Sequence, residues 1–333
     1  MSERFIIFDG NALIHRAYHA IPYLTTRDGR QVNAVYGFAN TLLKVLQDLR
    51  PKYAAVTFDL AAPTFRHKEY KEYKATRVKA DQELYDQIPL VKELVRTFNI
   101  PIFEKEGFEA DDLIGTLCRN VKCQKTCLKA NVKEDIETII VTGDLDTLQL
   151  INDTTKVYSI SRGINQAVMY DDKKVLERYG IRPDQMVDYK ALRGDPSDNI
   201  PGVGGIGEKG AAKLIIEYGS LENIYDQIAC LKANDKCQIS NKIQNKNDKN
   251  FKNISKLSEK YIRLLKENKE QAFLSQKLSE IVTNVPINFL LSEARLHDYH
   301  KQKVIDLFSK LEFKSLIKKL PEEHRGGEQA KLF

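Results

Sequence analysis

Three short apolar runs, each closed by an acidic residue, set the frame of this chain. Arg4 to Phe8 is a run of β-formers that reads as a buried strand and ends in Asp9-Gly10-Asn11. Ala54 to Phe58 repeats the pattern and ends in Asp59. Thr138 to Val141 repeats it again and ends in Thr142-Gly143-Asp144-Leu145-Asp146. Helical periodicity lies between: from about Ala12, over 34–49, over 87–98 and over 111–121. Strands alternating with helices predict an α/β fold with a central, mostly parallel, twisted sheet and helices on both faces. Ligands of such sheets sit outside the carboxyl ends of the strands, where every acid just named falls. A single Asp after a strand is an ordinary turn or N-cap residue. Three on one edge are harder to read that way. Glu109, Asp111 and Asp112 add three carboxylates at a helix start, where they also complement the helix dipole. Glu109 and Asp112 lie one turn apart, on one face.

A second pattern occupies residues 191–215. Asp195 and Asp198 stand three apart in a turn tightened by Gly194 and Pro196, which suits a hard, oxygen-loving cation. Gly205-Ile206-Gly207 then opens a short helix with Ala211, Leu214 and Ile215 on its packed side. Glycines let the backbone approach phosphate, and a helix N-terminus offers free N–H groups. A metal site beside a phosphate clamp suits a nuclease; the plain alternative is a Gly/Pro-rich loop ahead of a helix. The stretch 65–81 is basic with interleaved tyrosines and lacks a wide apolar stripe. It reads either as a solvated helix face or as a mobile helical element that meets nucleic acid through Lys74 and Arg77, with Tyr70 or Tyr73 stacking on a base. Short helices are expected over 171–190, and helical periodicity returns over 261–265 and 304–320. Residues 232–256 are Asn/Lys-rich and read as a mobile insertion, and 321–333 as a disordered polar tail.

Composition sharpens this picture. At 333 residues, 42% hydrophobic and 29% charged, the chain is an ordinary globular protein with room for two domains. The start is too short and charged for a signal peptide, and no apolar run approaches a membrane span, so a cytoplasmic, nucleoid-associated location is expected. Five cysteines without framework spacing fit a reducing compartment, with Cys123 and Cys127 read as free thiols rather than half a zinc site. The net charge of +6 is uneven: residues 228–333 carry 21 Lys/Arg against 13 Asp/Glu, and the rest carry 31 against 33. A basic part joined to an acidic part suggests a held polyanion and metal-assisted chemistry.

Three blocks, Gly107-Phe-Glu-Ala-Asp-Asp-Leu, Val141-Thr-Gly-Asp-Leu-Asp-Thr-Leu-Gln-Leu and Arg193-Gly-Asp-Pro-Ser-Asp-Asn-Ile-Pro-Gly-Val, together resemble the 5′-nuclease domain of bacterial DNA polymerase I. That domain belongs with the flap endonucleases. Val35-Tyr36-Gly37-Phe38, Phe65-Arg66-His67 and Leu311 to Leu316 match it too, and the similarity spans about residues 4–320. The chain ends where polymerase I would continue, and 118–137 and 232–256 look like insertions.

The resemblance implies a PIN-like nuclease core over 1–190 with a helical arch at about 65–90. A helical region over 191–320 would carry a helix-hairpin-helix, with a flexible tail over 321–333. It places a first metal cluster on Asp9, Asp59, Glu109, Asp111 and Asp112, and a second on Asp144, Asp146, Asp195 and Asp198. Two Mg²⁺ ions, replaceable by Mn²⁺, would lie about 3.5–4 Å apart and activate a water against the scissile phosphate. Nine crowded carboxylates would repel one another without such cations. Lys74 and Arg77 take the arch's catalytic positions, with Arg66 and Tyr73 among the DNA contacts. Gly202, Gly204, Gly205, Gly207, Lys209 and Lys213 would grip duplex phosphates, with K⁺ at the hairpin. His15, His19 and His67 are read as structural.

The implied substrate is DNA with 5′ flaps, nicks or ends, including RNA-primed strands, cut by a monomer in primer removal and repair. A haloacid-dehalogenase-type phosphatase is suggested by Asp144-x-Asp146, but Leu148 stands where that motif wants Thr or Val. A non-catalytic DNA binder would want a net positive cleft, and a small RNA-cleaving domain has no use for the hairpin and arch. Finally, Gln329-Ala330-Lys331-Leu332-Phe333 resembles the short peptide by which bacterial replication enzymes dock on the sliding clamp, with Gln329, Leu332 and Phe333 as its anchors.

Overall fold

The computed structural model describes residues 3–127, 136–161, 164–233, 257–296 and 299–320. The sequence expectations for 128–135, 234–256 and the tail 321–333, with Gln329, Leu332 and Phe333, lie outside the described residues. The chain forms two compact units: residues 1–65, 78–171 and 281–333 make the first, and 66–77 with 172–280 the second. This differs from the boundary expected near 190, because residues 281–320 pack with the first unit.

In unit 1, strands β1 (Glu3–Asp9), β2 (Tyr53–Thr57), β3 (Ile102–Phe103), β4 (Ile136–Thr142), β5 (Thr155–Ser159) and β6 (Val168–Tyr170) form one sheet in the order β3-β2-β1-β4-β5-β6. All neighbours are parallel except β5 with β6. Phe5, Ile6, Ile7 and Phe8 are fully buried, as a strand covered on both faces requires. Helix α1 (Gly10–Ala20) follows β1 directly, and Gly10 is required there. A Cβ on it would lie 2.3 Å from the Phe58 ring and 2.7 Å from the Thr57 carbonyl. Helix α2 (Asn33–Leu49) packs on α1 at Gly37, whose backbone passes within contact of Ala17. The core joins these elements to α5 (Ile88–Thr97) and, late in the chain, to Tyr299, Val304, Leu307 and Phe308 of the α13 region (Lys301–Lys310). The 304–320 periodicity thus resolves into α13 and α14 (Lys314–Ile317).

The arch expected at 65–90 is not a continuous helix. Helix α3 covers only Phe65–Glu69, turns follow, and α4 is the single turn Gln82–Tyr85. Lys74 sits in the left-handed region at φ +56°, which breaks any helix passing through it. Helix α6 runs over Ala110–Cys127, so the start of the supposed 118–137 insertion is helical.

Unit 2 contains α7 (Asp172–Tyr179), α8 (Met186–Arg193), α9 (Glu208–Tyr218), α10 (Leu221–Ala233), α11 (Glu259–Glu267) and α12 (Lys269–Ser279). Ala211, Leu214 and Ile215 form the buried side of α9. Cys118 and Cys123 are free, and Cys230 is disulfide-bonded. No helix among the described residues is long and apolar enough to cross a membrane.

Candidate active site

The strand order places a topological switch point between β1 and β4, since the chain winds from β1 out to β3 before returning to β4. Asp9 ends β1, Asp59 lies two residues past β2, and Asp144 lies two residues past β4. The acids that close the three apolar runs therefore stand at the carboxyl ends of three neighbouring strands. Asp9 is 3% exposed. Its Oδ1 caps α1 by accepting the Ala12 N–H at 3.1 Å, and its Oδ2 accepts the Thr142 hydroxyl at 2.6 Å. Burial pushes its carboxyl up to about 7 and the charges of Asp59 and Asp144 add to the rise, against the lowering effect of those two hydrogen bonds.

Neutral donors hold the neighbouring acids in place. The Asp144 N–H donates to Thr142 Oγ1 at 2.9 Å, and Asp144 Oδ1 accepts the Asp146 N–H at 3.0 Å. Thr142 thus bridges Asp9 and Asp144. Asn11 Oδ1 accepts the Asp59 N–H at 3.0 Å, and Asp59 Oδ1 accepts the Ala110 N–H at 2.6 Å, at the start of α6. Glu109 precedes α6 and Asp111 lies in its first turn. Asp112 is fully buried; its Oδ2 accepts the Glu109 N–H at 3.1 Å and its Oδ1 the Val282 N–H at 2.9 Å. That geometry ties the late chain to α6 through Asp112. Among the described residues no three His, Cys, Asp or Glu side chains converge as a ready-made cage. The fit of this group to a divalent cation rests instead on its all-oxygen donor set and on the buried, charge-crowded Asp9.

In unit 2, Asp195 and Asp198 belong to a turn closed by reciprocal backbone bonds between Asp195 and Ile200, each 2.8 Å. Gly194 at φ +78° and Gly202 at φ +64° make it possible. A Cβ on Gly202 would lie 2.2 Å from the Gly194 nitrogen. Lys190, buried on α8, pairs with Asp195 Oδ2 at 2.8 Å, and Ser197 donates to Oδ1 through its N–H (2.9 Å) and hydroxyl (2.6 Å). Burial would raise the Asp195 carboxyl, but the Lys190 charge and these hydrogen bonds outweigh it and hold it down at about 2. Asp198 is contacted by Tyr73, Lys74 and Arg77.

Three residues expected to touch DNA do other work. Arg66 is 2% exposed and donates to the carbonyls of Leu278 (3.0 Å) and Glu280 (2.6 Å), so it braces the segment instead of facing solvent. Tyr73 is buried, its hydroxyl spent on Asp198 and its ring edge-on to His67, which leaves no face for a base. Gly202 is buried between Ser275 and Gln271. Gly204, Gly205 and Gly207 are exposed, as are Lys209 and Lys213. Gly204 and Gly207 have open space where a Cβ would stand and no positive φ, so nothing within the fold demands glycine there. Thr142, Asn11, Lys190 and Ser197 were not singled out by sequence reasoning. Their only signal is closeness to the acids they hold.

Comparison with known proteins follows the same lines. A family model for the 5′–3′ exonuclease N-terminal resolvase-like domain matches residues 4–180, and one for the 5′–3′ exonuclease C-terminal SAM fold matches 181–302. DNA polymerase I of Caldicellulosiruptor bescii is 40% identical over 319 residues, 95% of this chain and 33% of that protein. DNA polymerase I of Bacillus subtilis is 38% identical over 331 residues, 99% of this chain and 34% of that protein. The chain therefore spans about a third of the length of these relatives. Among solved structures, a zinc-bound bacteriophage T5 5′-exonuclease matches with a TM-score of 0.63 at 20% identity, covering 95% of this chain and 96% of that one. The catalytic core of Rad2 in complex with DNA substrate matches at 0.56 and 18% identity, covering 96% and 90%. At these identities the likeness is one of fold. The phosphatase reading falls away, because the matched family spans both units: the chain belongs to the 5′–3′ exonuclease family.

Proposed function

We propose that this chain is a divalent-metal-dependent 5′ nuclease that hydrolyses phosphodiesters near single-strand/duplex junctions of DNA. The observation that carries the reading is Asp9: a buried carboxyl at a sheet switch point, lifted to about 7 with Asp59 and Asp144 adding to the rise, in a chain of this family. Asp9, Asp59, Glu109, Asp111, Asp144 and Asp146 would hold Mg²⁺ or Mn²⁺, with Asp112 fixing the start of α6. We extend the assignment to Asp195 and Asp198 of unit 2 as further cation ligands. When bound, such ions supply Lewis acidity to the scissile phosphate and make water a better nucleophile at neutral pH. Thr142 orients Asp9 and Asp144, Asn11 orients Asp59, and Lys190 fixes the Oδ2 of Asp195. Lys74 and Arg77 offer the positive charge for the substrate strand. Substrates with 5′ flaps, nicks or ends, including RNA-primed strands, fit this reading, as do a monomeric state and a nucleoid-associated role in primer removal and repair.

Incubation of the purified chain with a 5′-labelled flap duplex tests it. Cleavage should need Mg²⁺ or Mn²⁺ and stop with EDTA. Asp144→Ala and Asp146→Ala should each lower the rate by about 10³-fold or more, with flap binding in Ca²⁺ largely retained. Wild-type rates in both variants would refute the assignment.

The hairpin is proposed as the duplex clamp, with K⁺ as its monovalent ion. Gly207 has φ −87° and open space around it, so Gly207→Leu fits the fold yet blocks the approach of a phosphate. Duplex affinity should drop roughly tenfold and its dependence on salt should flatten by about one phosphate contact. An unchanged salt slope would remove the hairpin from the interface.

The terminal Gln329-Ala330-Lys331-Leu332-Phe333 is proposed as a clamp-docking peptide of about micromolar affinity, useful through tethering. A titration of that peptide against the cognate clamp should show binding that L332A/F333A abolishes. Equal binding by both peptides would dismiss it.

A further inference from the structure

Asp198 is a carboxylate engaged by a segment of its own unit. Its Oδ2 accepts the Tyr73 hydroxyl at 3.1 Å and lies 3.7 Å from Lys74 Nζ, while its Oδ1 is paired with Arg77 Nη2. The backbone is fastened as well. The Lys74 N–H donates to the Asp198 carbonyl at 2.9 Å, Arg77 Nε to the Ser197 carbonyl at 3.2 Å, and Asn199 Nδ2 to the Glu72 carbonyl at 2.7 Å. Tyr73 packs with Ile200 and Leu278 in a small apolar cluster that holds the 66–77 segment against the 195–200 turn. Together with Lys190 on Asp195, three cations compensate two carboxylates in unit 2. The donors to Asp9 in unit 1, by contrast, are neutral.

A guanidinium and a divalent ion compete for the same carboxylate oxygens, and a phosphate competes with a carboxylate for the same guanidinium. Arg77 is the more exposed partner: its side chain is 49% exposed, against 10% for Asp198. Tyr73 is buried and stays. We propose that the 66–77 segment is a latch that keeps a divalent cation off Asp198 until Arg77 and Lys74 are drawn to a phosphate of the substrate strand. The inference rests on reading Asp195 and Asp198 as metal ligands. Cation and DNA then help each other bind, because each removes what blocks the other, and the coupling is reciprocal. In the DNA-free protein Asp198 takes its ion only weakly.

Calorimetric titration of the DNA-free chain with Mn²⁺ tests the latch without any activity readout. Wild type should bind one tighter and one weaker ion. In R77Q/K74Q the weaker ion should tighten about tenfold, the size expected for losing two partly exposed ion pairs. In D198N it should be lost. Hydrogen exchange on wild type, which needs no variant, should show the Lys74 amide exchanging faster once the weaker ion is bound. Two ions bound with an unchanged weaker Kd in R77Q/K74Q, or with an unchanged Lys74 amide, would overturn the latch alone. An absence of Mn²⁺ binding in every variant would overturn the metal reading and the latch with it.

Discussion

Carboxylates gathered at the ends of neighbouring strands repel one another, and that repulsion governs how the edge of the unit 1 sheet is built. Asp9 cannot move away, because it caps α1 and accepts from Thr142 at the mouth of β4. Asp59 is tied to Asn11 and to the start of α6, and Asp144 to Thr142 and Asp146. The fold thus spends backbone N–H groups and hydroxyls on holding acids in place, at the cost of lifting one of them to about 7. An arrangement of this kind is stable when a cation supplies the missing charge.

Unit 2 treats its carboxylates in the opposite way. Asp195 is held down at about 2 by Lys190 and Ser197 against the effect of burial, and Asp198 is covered by Tyr73, Lys74 and Arg77. Asp9 is lifted by burial and neighbouring charge, whereas Asp195 is held down by a cation beside it. A cation arriving at Asp195 or Asp198 must compete with side chains of the protein itself, while one arriving at Asp9 meets a carboxyl whose donors are neutral. The two sets need not respond alike to ion concentration or to substrate.

Much of this was legible in the sequence where the signal is local. Phe5 to Phe8 and Thr138 to Val141 are apolar runs long enough to announce buried strands, and the acids after them mark the sheet's functional edge. Helix α2 was legible for the same reason, as was the glycine-led start of α9. Features decided by distant partners were not. Residues 66–77 carry no period of their own and take their shape from the 195–200 turn, which bends Lys74 to a positive φ. Arg66 looks like a DNA contact until the carbonyls of Leu278 and Glu280 are placed beside it. Residues 281–320 look like a continuation of the second domain, yet Val304 and Phe308 complete the first core. Lys190 was illegible because nothing in an α8 sequence says that one lysine faces inward.

The central claim, that the unit 1 acids form an ion site, is tested most directly through the proton on Asp9. In the ion-free protein its carboxyl sits at about 7 rather than 3.8, so the folded state holds this proton more tightly than the unfolded chain. The stability it confers is full below about pH 4 and is lost as pH rises through about 7. A bound cation would favour the carboxylate and expel the proton. Calorimetric titration with Mg²⁺ in two buffers of different ionisation heat counts that proton. The account predicts net proton release at pH 6.5, less at pH 8.5, and none from this position in Asp9→Asn. Mg²⁺ binding with no buffer dependence at pH 6.5, or with the same release in Asp9→Asn, would contradict it.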